Sequence, residues 1–241
     1  MDSRNNPFAP HISQQFSAEL EDLRNNLLAM GGQVEKQVSE AVESLITANS
    51  EQAQKVSEQD SDINFMEISI DEECTRILAR RQPAATDLRL VIACSKASSD
   101  LERIGDEAAK IARFAIKLSE QGEAPRGYIE TRHIGHHVRQ MVQDALNAFA
   151  RFDADMALAV AKEDKAVDRE YQSATRELVT YMMEDPRSIT RVLNIMWVLR
   201  SLERIGDHAR NIAEYVIYLV KGTDVRHIGI TRIQKEVFDG E

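Results

Sequence analysis

Leu101-Glu102-Arg103-Ile104-Gly105-Asp106 returns letter for letter as Leu202-Glu203-Arg204-Ile205-Gly206-Asp207, and this repeated phrase decides how the rest of the chain is read. Each copy holds a Glu-x-x-x-Asp pair. Residues four apart on a helix share a face, with Cβ atoms roughly 6 Å apart, so each copy presents two carboxylates side by side. Each copy also places a glycine in a helix interior, where it costs on the order of 1 kcal/mol relative to alanine. That cost, taken twice, predicts either a closely approaching neighbouring helix or an ion that leaves no room for a Cβ.

The repetition extends outward. A shift of 104 residues aligns Gly31 with Gly135, Val34 with Val138, Val38 with Val142 and Ala41 with Ala145. It continues through Ala53 and Ala157, Val56 and Val160, Asp60 and Asp164, and Asn64 and Asp168. Past the central turn the offset falls to 101, as expected when an insertion or deletion lies between helices. Periodicity gives three helices per half. They run from about Ser13 to Ala48, Glu51 to Arg81 and Ala84 to Glu120, and then from Tyr128 to Arg151, Asp153 to Met183 and Arg187 to Val220.

Pro83 and Pro186 break the chain before the third helix of each half, because proline lacks a backbone donor and disfavours helix in the residue before it. Ile195, Leu199, Leu202, Ile205, Ala209 and Ile212 step by threes and fours, a core-facing stripe. The expectation is an all-α protein of two tandem, sequence-related three-helix bundles. The first covers residues 11–121 and the second 128–221, with a linker at 122–127 and a C-terminal tail at 222–241. Helices of this length are roughly 45 to 55 Å long, which makes an elongated scaffold with no pocket expected for a small organic substrate.

Composition narrows the function. Few Gly and Pro and only 5% aromatic residues favour helix over sheet. Forty acidic residues against thirty basic give a net charge of -10, which repels a phosphate backbone and argues against nucleic-acid binding. Two cysteines are too few for a disulfide framework, and Cys74, in line with Ile70 and Ile77, reads as a small core residue. The N-terminus lacks a basic-then-apolar signal pattern, and the apolar stretch from Ile212 to Val220 is far short of a membrane span. Membrane association is expected only through a partner.

The second helix of each half offers a matching oxygen pair: Asp60 and Asn64 in the first, Asp164 and Asp168 in the second. If helices two and three run antiparallel, each half gathers a four-oxygen cluster, Asp60, Asn64, Glu102 and Asp106 or Asp164, Asp168, Glu203 and Asp207. Glu67 and Asp71 are possible additions in the first. Hard cations such as Mg²⁺, Mn²⁺ or iron, and also Zn²⁺, accept such donors. Three readings stay open: a metal-holding regulator, a di-metal carboxylate enzyme, and a solvated face laced with ion pairs, since Arg200, Glu203, Asp207, Arg210 and Glu214 alternate in charge. His133 and His137 have ligand-like spacing but no second copy. Gly31-Gly32-Gln33 matches the tripeptide of peptide-release factors, but it interrupts an ordinary amphipathic helix in an acidic chain and reads as a coincidence or a kink. No phosphate-binding loop, nucleophile elbow or Cys-x-x-Cys occurs, so organic catalysis has no visible machinery.

With its Asp-x-x-x-Asn/Asp segments and duplicated Glu-Arg-Ile-Gly-Asp phrase, the chain closely resembles the PhoU family from about His11 to His227. Arg80-Arg81-Gln82-Pro83, Asp87-Leu88-Arg89 and Tyr181-Met182-Met183-Glu184-Asp185 share the likeness. The resemblance implies a cytoplasmic negative regulator, not an enzyme, that couples the phosphate transporter ATPase to the phosphate-regulon sensor histidine kinase. It further implies a homodimer or higher oligomer with metal at the acidic motifs. By position the ligands are Asp60, Asn64, Glu102 and Asp106, and Asp164, Asp168, Glu203 and Asp207, with Arg103 and Arg204 orienting carboxylates. Asn64 stands where the second half has Asp168, and Tyr171 where the first has Glu67, so the two clusters differ in charge.

Overall fold

Leu23, Leu27, Met30, Val34, Val38 and Ala41 step by threes and fours along α1 (Gln14–Ile46), and all six are buried. The same rule makes every long element of the chain a helix with one apolar stripe turned inward. A computed structural model describes residues 14–121, 129–226 and 228–239. After α1 come α2 (Ser50–Glu58), α3 (Asp60–Arg81) and α4 (Ala85–Ser119), then α5 (Ile129–Arg151), α6 (Ala154–Glu184) and α7 (Ile189–Lys221). No strand occurs among the described residues, and the all-α expectation of two tandem, related helical units holds. The expected linker at 122–127 lies outside the described residues.

The duplication reaches the backbone. Ala48 and Phe152, 104 residues apart, both adopt left-handed dihedrals, with φ of 52° and 54°. Asn49 and Asp153 follow them and cap the next helix in the same way, their side chains accepting from the Gln52 and Met156 amides at 3.0 and 2.9 Å. One difference breaks the match. The single second helix expected for the first half is interrupted at Gln59, whereas α6 runs unbroken through the equivalent place. Asp60 and Asp62 fall in the first turn of α3, where negative charge complements the amino-terminal end of a helix dipole.

The halves meet along two helix pairs. α1 and α5 run antiparallel, with Gly31 against Leu146, Glu35 paired with Arg139 at 3.5 Å, and Gly135 against Val42. Leu146 is the positional equivalent of Val42, so these are two copies of one contact related by a pseudo-twofold axis. A Cβ on Gly31 would lie 2.4 Å from Leu146 Cδ2, and one on Gly135 would lie 2.8 Å from Val42 Cγ1. Gly31 is therefore a close-packing residue of an unbroken helix, whereas Gly32 beside it has nothing within 4 Å of a Cβ position.

α4 and α7 form the second pair, also antiparallel, with Arg89 reaching the Leu219 carbonyl, Asp100 meeting Asn211 and Glu107 meeting Arg204. The third helices of the two halves thus lie side by side at the centre, flanked by α1–α3 on one side and α5–α6 on the other. Beyond α7 the chain turns at Gly222, whose φ of 77° suits glycine, and Val225 and Ile233 bury completely against the core. The expected tail at 222–241 is therefore packed over much of its described length, ending in short helical turns at Ile230–Ile233 and Gln234–Asp239.

The glycine contacts set opposite outcomes for one substitution. Val42 is stiff at χ1, so Gly135→Ala forces the helices apart and lowers stability by about 1–3 kcal/mol. Gly32→Ala meets no obstacle and gains roughly 0.5–1 kcal/mol of helix propensity. Paired thermal or urea melts of the two variants read both signs.

Candidate functional site

Glu102 and Asp106 project from α4 towards α3, where Asp60, Asn64 and Glu67 sit at fours and threes along the opposing helix. Burial pushes the Asp60 carboxyl above the ordinary aspartate range, and the charge of Asp106 pushes it further, against the weaker pull of Arg113 and Lys110. Glu102 is raised in the same way, by burial first and then by Asp106, Glu67 and Asp60. These mutual repulsions place the predicted first cluster in one neighbourhood. Asp60 Oδ1 and Asn64 Oδ1 are buried with no hydrogen-bond partner. Glu67 and Asp71 are held instead by serines of α4, accepting from Ser99 at 2.8 Å and Ser95 at 2.7 Å.

Gly105 lies one residue before Asp106 and faces inward. A Cβ there would stand 3.1 Å from Gln37 Oε1 and 3.3 Å from Ile63 Cγ2, tight against both α1 and α3. Its missing side chain lets α3 approach close enough for the two acidic faces to oppose. Gly206 differs, since a Cβ there would meet Val167, Val138 and Met141 only at ordinary contact distances of 3.5 to 3.9 Å. A single steric reason therefore does not cover both glycines.

In the second half α6 and α7 bring together Asp164, Asp168, Glu203 and Asp207. Burial raises Asp207, and Asp164 and Asp168 raise it further. Glu203 is raised by burial and by Asp207, against Arg200. Asp164 is raised by burial, against Arg210. Two guanidiniums enter this cluster. Arg210 donates to Asp164 at 3.1 Å and to Glu214 at 2.9 Å, and Arg200 donates to Glu203 Oε1, leaving Oε2 buried without a partner.

All-oxygen donors, crowded negative charge and buried oxygens with no partner fit a hard cation chemically. The side chains are not drawn together for one: among the described residues, no three His, Cys, Asp or Glu groups converge into a metal-ligand set. A cation would have to gather them by rotamer changes.

The two motif arginines, expected to orient carboxylates, have different carboxylate partners. Arg204 crosses the seam to the buried Glu107 of the first half at 2.9 Å, which Lys110 also reaches at 2.9 Å. For its counterpart Arg103 the residue equivalent to Glu107 is His208, which offers no carboxylate, and Arg103 approaches its own neighbour Glu102 at 3.5 Å. Nearby, the buried Asp100 carboxylate accepts from His208 Nδ1 at 2.7 Å, Asn211 at 3.0 Å and Tyr215 at 2.8 Å. Sequence reading missed this hub. Its position in the second half is Ser201, so the repeat pattern gives no signal of it.

The weaker sequence candidates have local partners. His137 lies between carboxylates of α6, with Nδ1 3.2 Å from Glu170 and Nε2 3.2 Å from Glu163, and His133 is 3.5 Å from Glu170. Cys74 and Cys94 are buried, and burial pushes the Cys74 thiol up to about 12. A depression of about 220 Å³ lined by Gln33, Lys36, Gln37, Gln59, Asp62 and Ile63 lies between α1 and the α2–α3 break.

Fold and site together define a tandem-repeat helical protein in which each repeat turns one acidic face of its third helix towards the helix before it. The PhoU domain matches the chain twice, at residues 27–115 and 131–216, and the chain belongs to the PhoU family. It is 73% identical over 227 residues, 94% of each chain, to the phosphate-specific transport system accessory protein PhoU homolog of Pseudomonas aeruginosa. Identity to the phosphate-specific transport system accessory protein PhoU of Escherichia coli K12 is 48%, over 98% of this chain and 96% of that one.

Two crystal structures are similar in fold. PhoU from Pseudomonas aeruginosa matches with a TM-score of 0.85 and 72% identity, over 87% of this chain and all of the other. The phosphate transport system regulatory protein PhoU from Streptococcus pneumoniae matches with a TM-score of 0.81 and 32% identity, over 88% and 99%.

The raised carboxyls fix the sign of a pH effect. Each binds its proton more tightly in the fold than in the unfolded chain, so its stabilising contribution is complete below the unfolded value and is lost as pH rises through the folded one. In chelator, Asp207→Asn is therefore expected to raise the melting temperature at pH 7, with the gain shrinking as pH falls towards the ordinary aspartate value of 3.8. A loss at pH 7 would show that favourable pairing outweighs burial. Neither cysteine should react with Ellman's reagent in the folded chain, and both should react in denaturant.

Proposed function

We propose that this chain is a regulatory accessory of phosphate-specific transport, an adapter that couples the phosphate transporter ATPase to the phosphate-regulon sensor histidine kinase and restrains the regulon when phosphate is plentiful. The observation that carries this reading is 48% identity over 98% of the chain to the Escherichia coli accessory protein of that transport system. Relatives are named as accessory or regulatory proteins rather than enzymes, and among the described residues no helix is long and apolar enough to cross a membrane. The adapter works in the cytoplasm as a homodimer and reaches the membrane through its partners.

A divalent or trivalent metal, Mg, Mn, Fe or Zn, belongs to the same reading. Asp60, Asn64, Glu102 and Asp106 would hold it in the first half, and Asp164, Asp168, Glu203 and Asp207 in the second. When bound, it would neutralise the opposed carboxylates and steady each helix pair. The buried, unpartnered oxygens of Asp60, Asn64 and Glu203 support this assignment.

Deleting the gene in its host should derepress a phosphate-regulon reporter in high phosphate, and a plasmid copy should restore repression. A reporter that stays fully repressed in the deletion strain counts decisively against the regulatory role.

A further inference from the structure

We propose that the two acidic clusters are unequal towards a cation. Arg200 and Arg210 act as built-in counter-cations of the second cluster, so the first takes up a hard divalent ion at concentrations that leave the second unfilled. This inference rests on the metal reading given above and goes beyond it by ranking the two sites and naming the residues that set the rank.

The repeat supplies the comparison within one molecule. The position equivalent to Arg210 is Ala109, and the position equivalent to Arg200 is Ser99. Arg210 is hydrogen-bonded to Asp164 and Glu214, carboxylates only 7% and 4% exposed, and Arg200 holds one oxygen of Glu203. A cation that recruits Asp164 and both oxygens of Glu203 must first displace two charge-assisted guanidinium hydrogen bonds, taking Arg200 from Glu203 and leaving Arg210 with Glu214 alone.

Only a longer and more exposed pair has to be exchanged in the first cluster. Ala109 contributes no charge, and Ser99 donates a neutral hydroxyl to Glu67. Arg103 approaches Glu102 only at 3.5 Å, from a side chain 60% exposed. Lys110, engaged with Glu107, and Arg113 both reach Asp60 only as through-space charges. Asp60 Oδ1 and Asn64 Oδ1 are both buried and unpartnered, against the single orphan Glu203 Oε2 in the second cluster. The neutral amide of Asn64 lowers the formal charge of the first cluster, yet its oxygen is a ligand that no internal cation already occupies.

Mn²⁺ titration of the full chain, followed by the electron paramagnetic resonance signal of the free ion, tests the ranking, with circular dichroism melts of every variant. The expected result is high-affinity Mn²⁺ binding weakened at least tenfold by Asp106→Asn and changed less than twofold by Asp207→Asn. Arg200→Gln/Arg210→Gln should add a second tight equivalent that Asp207→Asn removes. If the double variant melts below assay temperature, Arg200→Gln alone should strengthen the weak second site several-fold.

Equal losses from Asp106→Asn and Asp207→Asn, or a stoichiometry unmoved by removing the arginines, overturns the proposal. Failure of the metal reading itself looks different, with no Mn²⁺ retained by the wild type or by any variant. Uptake by the arginine variants alone overturns the ranking.

Discussion

Because α4 and α7 run antiparallel across a pseudo-twofold axis, every residue on one seam faces a partner whose own counterpart lies on the other helix. In a perfect repeat each contact would occur twice. Here Arg204 finds Glu107, while Arg103, whose equivalent partner position is His208, pairs with Glu102 on its own helix. Asp100 collects three donors from α7, and Ser201 in its place could collect none of that charge. A buried carboxylate with unmet lone pairs is costly, so the His208, Asn211 and Tyr215 donors favour this register of the two central helices. With α4 and α7 fixed, α3 and α6 can lie against their outer faces and oppose the acidic pairs.

Adjacent residues of one helical turn thus serve different neighbours. Glu203 and Asp207 face α6, while Arg204 and His208, each one residue further on, face α4. An α-helix rotates about 100° per residue, so this division follows from the spacing of the six-residue phrase. In the second half the phrase is therefore an acidic face and a seam at once.

Much of this was legible in the sequence. Six long amphipathic stretches, the breaks at Pro83 and Pro186 and the shift of 104 residues foretold the helices and their pairing in halves, because apolar periodicity and proline act locally. The opposition of Asp60 to Asp106 and of Asp164 to Asp207 also followed from spacing, once the second and third helices were taken as antiparallel. The break at Gln59 was hidden, since no glycine or proline marks it. The roles of Gly31, Arg204 and Asp100 were hidden for another reason: each depends on a residue more than 95 positions away, which periodicity along one helix does not register. Glycine in both copies of the phrase suggested one shared cause, yet only Gly105 is under steric pressure, while Gly206 has the space that an alanine would need.

The paired turns at Ala48 and Phe152 bear on how such a molecule arises. Left-handed backbone is ordinarily a place for glycine or asparagine, and here it is held by a methyl in one half and a phenyl ring in the other. What was inherited at this corner is a path of the main chain, secured by the capping residue that follows, and the side chain at the bend was left free to diverge. Two halves that share barely a run of identical letters outside their central phrase therefore still turn this one corner along the same path.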